Sequence, residues 1–110
     1  MELAFSSKQL RQLCEVAASG EEQLGPVLAK VLRSRLADID AAESAADLVL
    51  GFPTLNERGR ELILGLTESV RLVFSTNQGT LRADAAVAGL EEVVRLKLLR
   101  VERDDDSRPL

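Results

Sequence analysis

The chain has no histidine, no tyrosine and a single cysteine, and three phenylalanines are its only aromatic residues among 110. The hydrophobic fraction of 45% is enough for a core, which must therefore consist of leucine, valine, isoleucine and alanine. One cysteine, Cys14, excludes an intramolecular disulfide and fits a reducing compartment. Because no histidine is present to activate it, Cys14 is predicted to be a small core residue rather than a nucleophile.

Long apolar runs are also missing from the chain. No segment approaches the roughly 20 consecutive apolar residues that a membrane-spanning helix requires. Residues 1–5 contain no basic side chain and no long apolar stretch follows them, so no secretory signal is predicted. We therefore expect a cytoplasmic protein that makes no membrane contact.

The formal net charge of −4 is not that of a strongly basic nucleic-acid-binding protein. The charge is unevenly distributed, however. Residues 1–54 carry five basic and eight acidic side chains, residues 55–103 carry eight and seven, and residues 104–110 carry one and three. An anion-binding surface must therefore come from clustering of basic side chains within the middle segment.

The chain starts with a short strand and an amphipathic helix. Residues 2–5 alternate weakly and predict the strand, after which Ser6 is expected to cap the helix, with Gln9 reaching back. Ser19-Gly20 is expected to end this helix. Its apolar stripe contains Leu10, Leu13, Cys14 and Ala17.

A second helix is predicted to begin near Glu22 or Gly25, with Pro26 tolerated in its first turn. Its buried stripe is predicted to contain Leu24, Val27, Leu28, Val31, Leu32, Leu36 and Ile39. The two helices should form an antiparallel pair, because only a short turn joins them. Residues 44–47 then predict a capped turn of helix before Leu48.

The second half of the chain has the period of strands. Apolar residues alternate over 61–66 and 70–75, with a hairpin connection at 67–69, and the last strand is predicted over 93–101. The layout is β-α-α followed by an antiparallel β-meander. It predicts an α+β fold in which the helical pair packs on one face of the sheet.

Two segments are predicted to lie outside the regular structure. Residues 76–89 predict a long loop, with a helical turn over 83–88, and residues 104–110 predict a disordered acidic tail. Residues 1–103 should therefore form a single domain.

Arg71 is the charged residue that most needs an explanation. Val70, Leu72 and Phe74 point to one face of a predicted strand, and Arg71 points to the other. A guanidinium is not left unpaired in a core, so Arg71 pairs with a carboxylate, extends to solvent or faces a site. A functional cation and a structural ion pair both remain open at this point.

The order and spacing of several segments are similar to those of a known protein family. These segments are residues 1–8 with Leu10 and residues 13–15, residues 35–38, residues 41–44 with Asp47-Leu48, residues 70–74 and residues 96–102. Together they resemble the RelE/ParE toxin superfamily, and most closely the HigB-like killer-protein branch of type II toxin–antitoxin systems. The resemblance covers most of the chain except residues 76–90 and the tail.

This resemblance implies a RelE-like fold and a small cytoplasmic toxin that a helix-turn-helix antitoxin neutralises. Many such toxins cleave mRNA in the ribosomal A site, whereas ParE-like toxins poison DNA gyrase. The toxin–antitoxin complex usually represses its own operon, so operator DNA would be contacted only through the antitoxin. No cofactor or metal is expected. The oligomeric state stays open, with a homodimer among the alternatives.

The resemblance also assigns roles to residues. Arg71 matches the strand arginine that holds the scissile phosphate, so it is a candidate catalytic and RNA-binding residue. The resemblance does not assign the acid and the base: from side-chain chemistry alone, Lys97 is a candidate general acid, and Glu61, Glu68 and Glu102 are candidate bases that no spacing distinguishes.

Further basic side chains are candidates for nucleic-acid binding. Arg58 and Arg60 flank Gly59 in a region that often contacts nucleic acid in this family, although a solvated turn also explains them. Arg95 and Lys97 share one face of the last strand, and could equally be solubilising residues. Arg100 breaks the alternation of that strand, which indicates a bulge or a strand buried on both faces.

The chain departs from the family pattern because it lacks the late histidine or tyrosine that RNA-cleaving relatives often use. Three hypotheses therefore remain: an mRNA endoribonuclease, a toxin of the same fold that binds a protein such as gyrase, and a non-toxic module that binds an antitoxin-like partner.

Overall fold

A computed structural model describes residues 1–48, 53–55, 60–76, 90 and 93–103. Within these residues the predicted α+β class is confirmed, with three helices and a five-stranded sheet. In chain order the elements are β1 (Glu2–Phe5), α1 (Lys8–Glu15), α2 (Ala17–Leu24), α3 (Pro26–Ala41), a 3₁₀ turn (Ala45–Asp47), β2 (Thr54–Leu55), β3 (Glu61–Gly65), β4 (Val70–Thr76) and β5 (Arg95–Arg103).

The first helix is capped by Ser7, one residue later than predicted. The Leu10 backbone N–H donates to Ser7 Oγ at 3.2 Å. Ser6 instead follows β1 directly and continues its pairing with β5, because its backbone N–H donates to the Leu98 carbonyl at 3.0 Å. Its hydroxyl donates to the Leu99 carbonyl at 3.3 Å. Ser6, the residue predicted to cap the helix, is therefore used in strand pairing instead.

The predicted helix end at Ser19-Gly20 is wrong, since both residues lie within α2. Gly20 is buried where helices approach closely: a Cβ built on it would lie 3.0 Å from the Leu13 carbonyl oxygen and 3.5 Å from Ala29 Cβ. The glycine thus permits tight packing of α2 rather than ending a helix.

Gly25 separates α2 from α3 at one of the two predicted helix starts, whereas the other, Glu22, lies within α2. The φ of 87° and ψ of 158° at Gly25 lie in a region that is essentially reserved for glycine. Pro26 follows in the first turn of α3, where its missing N–H costs nothing. Val27 is 77% exposed, so its predicted place in the buried stripe is wrong, whereas Leu32 and Ile39 are buried as expected.

The sheet has the order β1-β5-β4-β3-β2. The predicted meander is confirmed, because β3, β4 and β5 pair antiparallel in sequence. The sheet is mixed rather than wholly antiparallel, since β1 pairs parallel with β5. Parallel pairing needs a long crossover, which the helices and the other strands provide. The short strand β2, which the sequence did not predict, pairs with β3 at the opposite edge.

The helices cover one face of the sheet, and aliphatic side chains fill the space between them. Phe74 is fully buried and Phe5 packs at the margin of the core, as predicted. Cys14 is also buried, and this burial raises the pKa of its thiol to about 12. The thiolate is therefore disfavoured, which agrees with a structural role for Cys14.

Some predictions fall on residues outside the described ranges: the loop over 76–89 beyond Thr76, the helical turn over 83–88 and the tail over 104–110. No helix within the described ranges is both long and apolar enough to cross a membrane.

The conformation of Gly25 can be tested by Gly25→Ala. We expect a loss of about 1–3 kcal/mol in the free energy of unfolding, since alanine is strained at this φ and ψ. No atom lies within 4 Å of the added Cβ, so the cost comes from the backbone alone. Urea unfolding monitored by circular dichroism measures this loss in free energy. The exposed neighbour Val27→Ala is the control and should change stability by less than about 0.5 kcal/mol. Equal effects of the two substitutions would contradict the expectation.

Candidate functional site

The face of the sheet that is turned away from the helices carries most of the predicted site residues. We call it the open face, and it is formed by Glu2, Ala4, Thr54, Glu61, Ile63, Gly65, Arg71, Val73, Ser75, Arg95, Lys97, Arg100 and Glu102. Strand pairing arranges these residues in rows across the sheet: Gly65–Arg71–Glu102, Thr54–Ile63–Val73–Arg100, Glu61–Ser75–Lys97–Ala4 and Arg95–Glu2. Among the described residues, the face therefore carries four basic and three acidic side chains.

Arg71 lies in a chain of alternating charges at one end of the open face. Its Nε donates to Glu102 Oε1 at 3.2 Å. Arg100 Nε donates to the other oxygen of the same carboxylate, and Arg100 Nη1 lies 3.9 Å from Glu61 Oε2. The order is thus Arg71–Glu102–Arg100–Glu61. Of the two explanations for Arg71, the structure shows the ion pair directly.

The two arginines determine the chemistry of Glu102. The hydrogen bond from Arg100 is the largest cause and lowers the pKa of this carboxyl, whereas burial opposes it. The charges of Arg100 and Arg71 and the hydrogen bond from Arg71 lower the pKa further. A carboxylate with a lowered pKa is a weaker proton acceptor. Glu102 is therefore the least suitable of the three candidate bases.

The bulge that Arg100 indicated is present in β5. The pairing register shifts between Val73 and Phe74, so that Arg100 pairs with Val73 and Leu98 pairs with Phe74. Leu99 is the extra residue. Because of this shift Arg100 lies on the open face while Val101 lies in the core.

Lys97 and Arg95 lie towards the other end of the open face. Arg95 Nε is 3.2 Å from Glu2 Oε2, in a pair whose side chains are 68% and 76% exposed. Such exposed pairs contribute little to stability. Lys97 is exposed and forms no ion pair within the described ranges. Arg60 belongs to the same end, because its carbonyl accepts a hydrogen bond from the Thr76 N–H at 2.9 Å.

The structure thus places Arg71, Arg95 and Lys97 on one face, but it does not bring them to one point. Arg71 and the cross-strand partner of Lys97, Ser75, are four positions apart on β4. At about 3.3 Å per residue this separation is about 13 Å. Arg71 and Lys97 could contact successive groups along an extended ligand, but not a single phosphate.

One row combines a candidate base and a candidate acid. Glu61 and Lys97 are the two cross-strand neighbours of Ser75, on β3 and β5. Their backbones are therefore two strand spacings apart, about 10 Å. Glu68, the remaining candidate base, lies exposed in the β3–β4 hairpin and outside this row. The structure distinguishes the candidate bases where the sequence could not.

The residue that the sequence analysis placed least well is Arg100, which links Glu102 to Glu61. The irregular apolar pattern around Arg100 predicted the bulge, but it could not predict the carboxylates with which Arg100 pairs. Arg58 lies outside the described ranges. In the part of the chain that the structure describes, no group of three or more cysteine, aspartate or glutamate side chains is arranged to hold a metal ion.

Comparisons with protein-family models, curated proteins and solved structures give no match for this chain.

The ion pairs of Glu102 predict a pH-dependent contribution to stability. Since folding lowers the pKa of Glu102, its contribution is present above the unfolded pKa near 4.5 and is lost as the pH falls through the folded value. Glu102→Gln should lower the free energy of unfolding by about 0.5–1 kcal/mol at pH 7, given partly exposed partners. The difference from the unchanged protein should shrink below pH 4.5 in urea titrations.

Glu15→Gln is the matched control, because Glu15 pairs with Arg11 at 3.8 Å and both side chains are more than half exposed. This substitution should leave the free energy of unfolding almost unchanged at both pH 7 and pH 3. A Glu102→Gln effect that is equal at pH 7 and pH 3 would show that the carboxylate charge is not responsible.

Proposed function

We propose that this chain is the toxin component of a type II toxin–antitoxin system and that it inhibits translation by ribosome-associated mRNA cleavage. The observation that carries the proposal is the open face, where Arg71, Lys97 and Glu61 lie on an antiparallel meander whose other face is covered by helices. A RelE-like topology belongs to the proposal, as does neutralisation by a helix-turn-helix antitoxin. Operator DNA would be reached only through that antitoxin.

Cleavage of RNA by its own 2′-hydroxyl needs a base for that hydroxyl, a cation for the phosphate and an acid for the leaving 5′-oxygen. Glu61 and Lys97 flank Ser75 in one row, which leaves room between their side chains for a ribose and its 3′-phosphate. In this arrangement Glu61 accepts the proton and Lys97 donates one to the leaving oxygen.

Arg71 can supply phosphate binding through an exchange of partners. Glu102 accepts from both Arg71 and Arg100, so a phosphate that takes Arg71 leaves the carboxylate paired with Arg100. The exchange therefore does not strand an unpaired charge at this partly buried position. Arg71 then contacts a phosphate next to the scissile one, because about 13 Å separate it from the row of Lys97.

A second candidate function is a non-catalytic module of the same fold that binds an antitoxin-like partner. It is favoured by the mutual neutralisation of Arg71, Glu102, Arg100 and Glu61 and by the lack of histidine and tyrosine. A gyrase-directed toxin is the third candidate, and it differs from the nuclease in leaving mRNA intact.

The nuclease function can be tested by inducible expression with mapping of mRNA 5′ ends. We expect growth arrest together with ribosome-dependent cuts. Lys97→Ala should relieve the arrest and reduce cleavage by about 100-fold or more, because it removes the proposed general acid. Arg71→Ala should relieve the arrest by weakening the binding of a neighbouring phosphate. Lys30→Ala, which removes an exposed lysine from α3, is the matched control and should leave toxicity unchanged. Growth arrest without cuts would favour the gyrase-directed toxin, and the absence of arrest would favour the non-catalytic module.

The role of Glu61 has its own test. Glu61→Gln should lower the cleavage rate by about 100-fold or more, since the amide cannot accept the hydroxyl proton. Glu68→Gln, in the exposed hairpin, should not change it. Single-turnover cleavage on programmed ribosomes measures both rates, and circular dichroism melting checks that each variant folds. Equal rates for the two variants would remove Glu61 from the mechanism.

A further inference from the structure

The strand β1 is an edge of the sheet, and half of its backbone hydrogen-bonding groups point away from β5. The Glu2 N–H donates to the Val94 carbonyl at 3.1 Å, and the Ser6 N–H donates to the Leu98 carbonyl at 3.0 Å. Because such groups alternate along a strand, the N–H and C=O groups of Leu3 and Phe5 point outward. Within the described ranges no hydrogen bond is made to these outward groups. Two donors and two acceptors are therefore available in a row.

An apolar groove runs beside this edge on the helical side of the sheet. The half-buried side chains of Leu3 and Phe5 line it, together with Leu36 from α3 and the buried Cys14 from α1. Acidic side chains stand at its helical rim, Glu15 on α1 and Asp40 on α3. Arg11 also lies at this side, with its Cζ 5.5 Å from the centroid of the Phe5 ring. The apolar lining of the groove accordingly suits apolar side chains.

The open-face side of the same edge has the opposite character. Ala4 is the cross-strand partner of Lys97, and both are exposed. Ala4 has no side chain beyond Cβ that could screen the lysine. A strand added beside β1 would lie about 10 Å from β5, a distance that lysine and glutamate side chains together span. Since Lys97 has no ion-pair partner in the described part of the chain, a carboxylate placed next to Ala4 would supply one.

We propose that β1 is a docking edge for an extended segment of a partner protein, which adds to the sheet as a sixth strand. The outward backbone groups of Leu3 and Phe5 provide the hydrogen bonds to the partner segment. The chemical character of the two sides of β1 determines which side chains that segment must carry. Its side chains alternate: apolar residues beside Leu3 and Phe5 enter the groove, and an acidic residue between them lies beside Ala4 and pairs with Lys97. The proposal stands apart from RNA cleavage, because it needs neither a base nor a phosphate.

A second copy of this chain fits the edge less well. Antiparallel pairing of two β1 strands about a twofold axis keeps both helical layers on the same side of the sheet. The rims that carry Asp40 would then face their own counterparts across the groove, where like charges repel. The partner segment also needs an acidic residue next to Ala4, whereas the twofold pairing would place another alanine there.

The test uses a fluorescein-labelled peptide, Thr-Val-Glu-Val-Thr, whose symmetric pattern suits either strand direction. We expect saturable one-to-one binding by fluorescence anisotropy. Amide hydrogen exchange by NMR should show Leu3 and Phe5 exchanging rapidly in the free protein and at least tenfold more slowly with the peptide bound. Ala4 and Ser6, whose groups face β5, should be protected in both states.

Two peptide controls leave the protein unchanged. One carries N-methyl groups on both valines and the other on the glutamate, which block the backbone donors used in antiparallel and parallel addition respectively. One of the two must lose binding by at least tenfold, and equal binding of both would overturn strand addition.

The charge contact is tested by Lys97→Glu, with Lys8→Glu on the exposed surface of α1 as the matched control. Lys97→Glu should weaken binding of the glutamate peptide by at least fivefold and should leave a glutamine-centred peptide unaffected. Leu3→Pro, which removes an outward N–H that β5 does not use, should abolish binding of both peptides. Peptide binding that leaves Leu3 and Phe5 unprotected would refute the proposal. Sedimentation that shows a dimer with these amides already protected would assign the edge to a second copy.

Discussion

The register between β4 and β5 is the constraint on which the rest of the structure depends. Leu96 and Leu98 face the helices, and the extra residue at Leu99 reverses the alternation so that Val101 faces them too. Without that bulge Val101 would turn to the open face, and Arg100 and Glu102 would turn into an aliphatic core. Burying two charges there would cost several kcal/mol each. The bulge thus keeps the core apolar and assembles the charges of the open face in the same step.

The open face consequently has two ends with different properties. At one end Arg71, Glu102, Arg100 and Glu61 satisfy one another, above a valine, Val73, that is only 1% exposed. At the other end Lys97 lies beside Ala4 and near the edge of the sheet. A ligand has to displace an existing ion pair at the first end, whereas at the second it meets an exposed lysine. Under the proposed function, RNA binding would therefore begin near Lys97 and extend towards Arg71.

The sequence predicted features that depend on local pattern, and it was less reliable for those that depend on distant contacts. Alternation located β3, β4 and most of β5, because one face of each strand is buried in the core. It could not show that Gly20 serves close packing, since the neighbour that requires a glycine, Leu13, belongs to another helix. The two-residue strand β2 was missed because so short a segment has no period.

In the candidate site, too, local features could be predicted from the sequence and long-range contacts could not. The face on which Arg71 lies could be predicted from its apolar neighbours, but its partner Glu102 is 31 residues away. Only the strand register brings the two together. The parallel pairing of β1 was hidden for the same reason, because no turn connects β1 to β5 and nothing local specifies the direction in which they meet.

That pairing also has a consequence for biosynthesis. Ser6 and Leu99 are joined by a hydrogen bond although 93 residues separate them. As the chain leaves the ribosome, β1 and the three helices emerge first, while the strand that holds β1 in the sheet emerges much later. The aliphatic side of the helices therefore lacks the part of its sheet formed by β5 and the paired β1 until β5 has been synthesised. Such long-range closure slows folding, because the entropy of the intervening chain has to be lost before the β1–β5 contacts are gained.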